Sequence, residues 1–415
     1  MLTARCLQLF APHSLHASID LPTSKSVENR ALIISALRQG GSIVEESGRC
    51  DDVEVLYRAL THLHREMLDV GAAGTAMRFL TAFLAITPGK RLLTGSERMK
   101  QRPIGLLVDA LRVLGAQIEY VEQDGFPPLR IEGRSLKGGR VMLPGNVSSQ
   151  FASALLLIAP RLNNGIHLTL TGEILSRPYI DLTLALMNRA GADAQWISEN
   201  EISVSKGNYR GDAVKMEKDW SAASYWYQLV ALASGKNQVE LKALSLDSLQ
   251  GDKRVVEYFS RLGVETVAYS QGLVLRKKKC EVEYMCEDLS SHPDLAQTLA
   301  VTCVVLNIPF RFTGLQNLQI KETNRLVALQ TELRKIGAVV EIVGEDTLQW
   351  NGTHCPPDSR PLISTYDDHR MAMAFAPASF SFPGLCIESP SVVSKSYPLY
   401  WADLERAGFQ LLELV

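Results

Sequence analysis

Leu107–Tyr120, LVDALRVLGAQIEY, holds an amphipathic helix, a glycine and a short alternating strand in one continuous stretch. Gly115 suits the left-handed position that ends a helix. The residues after it alternate like a half-buried strand. The same pattern returns at Leu184–Gly191, Val255–Gly263, Leu329–Gly337 and Tyr400–Gly408. The five glycines are separated by 76, 72, 74 and 71 residues. Near-constant spacing points to a repeated α/β unit rather than to unrelated helix ends. A sixth copy is expected upstream, where Val55–Leu60 resembles the helix. Leu60 matches Leu111 but stands only 51 residues before it, a shorter step than the others, so the first unit reads as trimmed after its helix. Three units per lobe give two lobes, 20–216 and 1–19 with 217–415, changing over near Glu217-Lys218-Asp219.

The bulk composition narrows the function. The chain has 415 residues, 46% hydrophobic and 21% charged, enough to bury a large core. Its net charge is −2, so nothing global favours nucleic acid or an anionic membrane. The longest apolar stretch, Phe151–Pro160, is too short to span a bilayer. No basic n-region followed by an apolar core opens the chain, and a cytoplasmic protein is expected. Seven Cys without a C-x-x-C pair read as reduced thiols. Eight His without H-E-x-x-H spacing give no metal site. No Walker loop and no G-x-G-x-x-G is present, so a nucleotide site is unsupported.

The basic residues are informative by placement. Ser24-Lys25-Ser26-Val27-Glu28-Asn29-Arg30, Gly74-Thr75-Ala76-Met77-Arg78, Ser148-Ser149-Gln150, Lys321-Glu322-Thr323-Asn324-Arg325 and Asp367-Asp368-His369-Arg370 each precede or open a helix-like apolar run. Each reads as a helix N-terminus. A cation there is disfavoured by roughly 0.3–1 kcal/mol, because the helix dipole is positive at that end. Arg30, Arg78, Arg325 and Arg370 all fall near a first turn. The pattern makes sense if an external anion is shared between these cations and the helix N–H groups. A single such Arg would more simply point to solvent; four of them beside Ser, Thr and Gly favour anion binding. Glu97–Pro103 adds a fifth basic cluster.

These clusters, in this order, resemble the enolpyruvyl transferase family, and specifically its branch acting on shikimate 3-phosphate. The resemblance covers nearly the whole chain. It rests on S-K-S-x-x-N-R at 24–30, G-T-A-M-R at 74–78, R-M-K-x-R-P-I at 98–104, S-S-Q-F at 148–151, S-R-P-Y-I-D at 176–181, P-D-L-A at 293–296, K-E-T-x-R at 321–325, D-H-R-M-A-M at 368–373 and K-S-Y-P at 395–398. It implies a two-lobed inside-out α/β barrel of six βαβαββ-type units, the first shortened, closing on substrates between the lobes. It implies transfer of the enolpyruvyl group of phosphoenolpyruvate to the 5-hydroxyl of shikimate 3-phosphate, with release of phosphate.

The resemblance also implies roles. Lys25, Ser26, Arg30, Ser148, Ser149, Gln150, Ser176, Tyr179, Asp294, Asn317 and Lys321 would hold shikimate 3-phosphate. Lys25, Gly74, Arg98, Gln150, Arg325, Arg370 and Lys395 would hold phosphoenolpyruvate. Asp294 and Glu322 would be the acid/base pair, with Lys25 and His369 close to the reacting atoms. No metal or organic cofactor is expected, since phosphate is already a good leaving group, and a monomer is expected. Two departures stand out. Ala72 replaces the Asn common in the family, which normally helps to bind the phosphate of phosphoenolpyruvate. The segment from Leu60 to Gly71 is short. Two alternatives remain open at this stage: an enolpyruvyl transferase acting on UDP-N-acetylglucosamine, against which stands the lack of Cys between Pro88 and Pro103, and a non-catalytic anion-binding homologue.

Overall fold

The computed structural model describes residues 5–38, 50–210, 214–235 and 237–414. The chain divides into two compact units, Thr23–Met216 and Met1–Pro22 with Glu217–Val415. Strands β1 (Cys6–Phe10) and β2 (His16–Ile19) come first, then helices α1 (Lys25–Leu37) and α2 (Asp51–Thr61). One path then recurs. It runs through β3 (Met67–Asp69), α3 (Gly74–Ile86), β4 (Gly89–Thr94), a short α4 (Glu97–Lys100), α5 (Gly105–Val113), β5 (Gln117–Tyr120) and β6 (Leu129–Gly133). It runs again through β7 (Gly139–Pro144), α6 (Ser149–Ile158), β8 (Ile166–Thr171), α7 (Arg177–Arg189), β9 (Ala194–Trp196) and β10 (Glu201–Val204).

In the other unit β2 is continued, after the 23–216 insertion, by α8 (Trp220–Leu232), β11 (Gln238–Lys242), α9 (Val255–Arg261), β12 (Val264–Tyr269) and β13 (Gly272–Lys277). Next come β14 (Met285–Asp288), α10 (Ala296–Val305), β15 (Phe310–Thr313), α11 (Arg325–Lys335), β16 (Glu341–Val343) and β17 (Thr347–Trp350). Last come β18 (Leu362–Ile363), α12 (His369–Phe375), β19 (Leu385–Glu388), α13 (Tyr400–Arg406) and β20 (Gln410–Leu414).

Among the described residues these strands form five four-stranded sheets of one design, in the orders β3-β4-β6-β5, β7-β8-β10-β9, β2-β11-β13-β12, β14-β15-β17-β16 and β18-β19-β1-β20. In each the first pair is parallel, joined through a helix. The remaining pairs are antiparallel. The last sheet borrows its third strand, β1, from the start of the chain. All five repeat glycines take positive φ: +104° at Gly115, +85° at Gly191, +93° at Gly263 and Gly337, and +97° at Gly408. The helix after each parallel crossover therefore turns straight into an antiparallel strand, which opens a hairpin in four of the five sheets and pairs with β1 in the fifth.

The first unit departs from six equal copies. Only five residues, 62–66, separate α2 from β3, too few for a two-stranded hairpin. That unit contributes α1 and α2, and no sheet of its own among the described residues.

The crossover helices are the core. α3 buries Gly74 and Ala76–Ala85, and α6 buries Phe151–Ile158. α8 buries Ala222–Leu232, and α10 and α12 are buried almost throughout. A helix apolar on all sides must be enclosed by other elements. The sheets instead alternate, as in β8, where Ile166, Leu168 and Leu170 are buried and the residues between are partly exposed. The starts of the buried helices are the places where polar residues can reach solvent.

Replacing Gly115 by Ala should destabilise by about 1–3 kcal/mol, from the positive φ alone, since no atom lies within 4 Å of the new Cβ. Gly263→Ala should lower the thermal midpoint further, because its Cβ would also sit 2.9 Å from the Lys278 carbonyl oxygen. Equal midpoints for the two variants, measured by scanning calorimetry, contradict this reading of the repeat.

Candidate active site

In the unit containing residues 217–415, the helix starts gather a compact set of opposite charges. Arg325 opens α11 directly after its cap, Asn324, whose side chain accepts from Val327 N. Its guanidinium is 2% exposed and touches three carboxylates. Nε donates to Asp368 Oδ2 at 2.6 Å, Nη1 to Asp294 Oδ1 at 3.0 Å and Nη2 to Glu322 Oε2 at 2.8 Å. Asp368 is fully buried and also caps α12, accepting from Arg370 N at 2.9 Å. Arg370, next along that helix, donates Nη2 to Asp294 Oδ2 at 2.8 Å and Nη1 to the Asp294 carbonyl at 3.3 Å. Lys321 Nζ lies 3.8 Å from Asp294 Oδ1. His369 is buried beside Asp368, Nδ1 to Oδ1 3.9 Å. Lys395 Nζ donates to the Asp367 carbonyl at 2.6 Å. Asn317 is buried in the turn that leads to Lys321.

Three carboxylates and three cations thus meet around Asp294. Burial by itself would raise the Asp294 carboxyl. Arg370, Lys321 and Arg325 outweigh burial and hold it well below the usual carboxylate range, against an opposing push from Glu322. Burial would likewise deprotonate Arg325, yet Asp368, Glu322 and Asp294 keep it firmly charged. Asp294 is a permanent carboxylate at neutral pH in this arrangement. It is a weak base for as long as the guanidinium groups stay on it.

The Thr23–Met216 unit presents a second polar set. Lys25, the first residue of α1, pairs with Asp52 at 2.9 Å, both groups largely buried. Ser148 caps α6, accepting from Gln150 N, and the Gln150 amide donates to Thr75 Oγ1 at 3.1 Å. This links the starts of α6 and α3. Ser176 precedes α7 in the left-handed region, φ +55°. Arg30 lies deeper than an N-terminal position. Its helix starts at Lys25, and the guanidinium reaches back to the Ser26 carbonyl at 2.8 Å. Arg30 also donates to Thr183 Oγ1, Ser153 Oγ and the Tyr179 carbonyl. Burial pushes its pKa down to about 10, still charged at neutral pH. Arg78 behaves alike, in the second turn of α3 and bonded back to the Gly74 carbonyl. Side chains on a helix lean toward its N-terminus, so second-turn arginines still serve the first turn.

Sequence reasoning overlooked several partners. Asp52, the partner of Lys25, was not singled out in the sequence. Asp368 read only as part of its motif. Arg102 is buried with its guanidinium on the start of α3, where a Cβ on Gly74 would lie 2.8 Å from both of its terminal nitrogens. Arg98, favoured from the same motif, is exposed on α4.

No helix among the described residues is long and apolar enough to cross a membrane. No group of three or more His, Cys, Asp or Glu among them forms a potential metal-ligand set.

Arg325→Met would leave Asp294, Glu322 and Asp368 without their shared partner. Removing one side of a buried pair costs about 3–5 kcal/mol. The Asp294 carboxyl is depressed in the folded state, so its contribution is complete above the unfolded carboxyl value of roughly 3.9 and is withdrawn as pH falls below it. The gap between Arg325→Met and the parent should therefore narrow in acid. Denaturant titration followed by tryptophan fluorescence measures it, four of the five Trp being in this unit. A gap constant from neutral pH to pH 3 contradicts the electrostatic account.

The chain matches the family model for EPSP synthase (3-phosphoshikimate 1-carboxyvinyltransferase) over residues 64–404. It is 54% identical over 401 residues to the 3-phosphoshikimate 1-carboxyvinyltransferase of Bacteroides fragilis strain YCH46, covering 97% of each chain. It is 36% identical to the enzyme of that name from Shewanella denitrificans, covering 94% of this chain and 96% of the relative. Among solved structures, an EPSP synthase from Acinetobacter baumannii superposes with a TM-score of 0.74 at 20% identity, over 98% of this chain and 99% of that one. The enolpyruvyl transferase NikO from Streptomyces tendae gives a TM-score of 0.71 at 13% identity, over 99% of each chain, and shares the fold. With the family model spanning most of its length and close relatives spanning nearly all of it, the chain belongs to the EPSP synthase (3-phosphoshikimate 1-carboxyvinyltransferase) family.

Proposed function

We infer that the chain carries out its family's reaction, moving the enolpyruvyl group of phosphoenolpyruvate to the 5-hydroxyl of shikimate 3-phosphate and releasing phosphate. The observation that carries the mechanism is the Arg325 guanidinium holding Asp294 and Glu322 at once. The reaction needs two proton transfers at neighbouring atoms. The hydroxyl loses a proton as its oxygen bonds to C2, and C3 gains one. The C3 proton is then lost as the C2–O bond to phosphate breaks. Two carboxyl groups on one guanidinium fit that demand. Asp294 takes the hydroxyl proton; Glu322, protonated once Arg325 has turned to the substrate, gives the C3 proton and takes it back; the departing phosphate carries off the proton left on Asp294. Lys25 and His369 stand close to the reacting atoms.

Both substrates are strongly anionic, and cations are needed to offset their repulsion. Shikimate 3-phosphate is assigned to Lys25, Ser26, Arg30, Ser148, Ser149, Gln150, Ser176 and Tyr179, with Asp294, Asn317 and Lys321. Phosphoenolpyruvate is assigned to Lys25, Gly74, Arg98, Gln150, Arg325, Arg370 and Lys395. The reading thus draws side chains from both units. Arg370 and Arg325 are held by the protein's own carboxylates. Phosphoenolpyruvate must compete with Asp294 for them. As the guanidinium groups turn to the substrate, the Asp294 carboxyl rises toward its ordinary range and becomes a competent base.

Mixing the purified protein with both substrates should release phosphate, and UDP-N-acetylglucosamine in place of shikimate 3-phosphate should not support release. Glu322→Gln and Lys25→Met each break an ion pair as well, so turnover is compared on the folded fraction, where it should fall by about 10²–10⁴. Near-parent rates for both variants rule out the assigned proton transfers.

A further inference from the structure

We infer that Glu332 is a positioning residue for the phosphoenolpyruvate cations, acting through a left-handed turn at Tyr366-Asp367. This rests on the reaction proposed above. Glu332 is fully buried on α11, seven residues after Arg325 and so two turns along the same face. Its carboxylate accepts from Ser364 N at 3.0 Å and from Tyr366 Oη at 2.6 Å. Lys335, one turn further, pairs with Glu332 at 2.7 Å and donates to the Leu362 carbonyl at 2.8 Å. Arg325 grips Asp368 at the other end of the same segment. One face of α11 therefore holds 362–368 at successive points.

The segment needs that grip. Tyr366 and Asp367 are consecutive non-glycine residues at φ +52° and +55°, a conformation that surroundings must impose. The turn sets two things. It aims the Asp367 carbonyl at Lys395 Nζ, and it delivers Asp368 as the cap that starts α12 at His369 and Arg370. Lys395 and Arg370 are both assigned to phosphoenolpyruvate and neither to shikimate 3-phosphate. Glu332 contacts neither substrate in this reading. A loosened turn should cost phosphoenolpyruvate binding selectively.

Glu332→Gln keeps the shape and removes the charge; Tyr366→Phe removes one hydroxyl from a residue that is 40% exposed, so it tests the contact even where the buried change impairs folding. Steady-state phosphate release is measured with each substrate varied in turn. Each folded variant should raise KM for phosphoenolpyruvate about tenfold, equivalent to about 1.4 kcal/mol, with KM for shikimate 3-phosphate within about twofold of the parent. The double variant should be no worse than the poorer single one, because both changes break the same contact. An unchanged KM for phosphoenolpyruvate in a folded variant overturns the inference, as does an equal rise in both KM values. Failure of the parent chain to release phosphate would instead count against the reaction itself.

Discussion

Arg325 is a guanidinium sealed from solvent against three carboxylates, and the rest of the candidate site is arranged around it. A buried cation of this kind is tolerated only with its partners present, and each partner is tolerated only with the cation. Asp294, Glu322 and Asp368 come from three different stretches of chain, and one side chain fixes their mutual positions. Arg370 and Lys321 then complete a balance of charge around Asp294. That balance holds the Asp294 carboxyl well below the usual carboxylate range.

The repeat explains why such a cluster can exist. Every parallel crossover buries its helix almost completely and leaves the helix start as the polar end. α10 and α12 bring Asp294 and the Asp368-His369-Arg370 run to neighbouring positions, and α11 supplies Arg325. In the Thr23–Met216 unit the Gln150–Thr75 hydrogen bond joins the starts of α6 and α3, and Lys25 at the start of α1 pairs with Asp52. Residues 23–61 contribute α1 and α2, which carry Lys25 and Asp52, and no sheet of their own among the described residues.

Much of this was legible before the coordinates. The spacing of Gly115, Gly191, Gly263, Gly337 and Gly408 marks a physical requirement, the left-handed turn, and all five meet it. Helix starts at Ser149, Arg325 and His369 follow from local capping chemistry, by Ser148, Asn324 and Asp368, while those at Lys25 and Gly74 carry no capping side chain. Pairings over long sequence separation were not legible. Nothing near Asp52 names Lys25 as its partner, and nothing near Asp368 names Arg325. Arg30 was expected to face an anion near the first turn, yet it lies in the second turn and is bonded to Thr183, Ser153 and Tyr179, partners more than 120 residues away in sequence. That β1 would complete the sheet of β18, β19 and β20 is also a long-range pairing, which local pattern does not encode.

If Asp294 and phosphoenolpyruvate compete for Arg370 and Arg325, then neutralising Asp294 should improve binding while abolishing chemistry. The direct measurement is calorimetric titration of phosphoenolpyruvate into Asp294→Asn and into the parent, both saturated with shikimate 3-phosphate, with turnover measured in parallel. The account predicts tighter binding by the variant together with loss of phosphate release. Unchanged or weaker binding by the variant would contradict it, because the carboxylate would then not be what the substrate displaces.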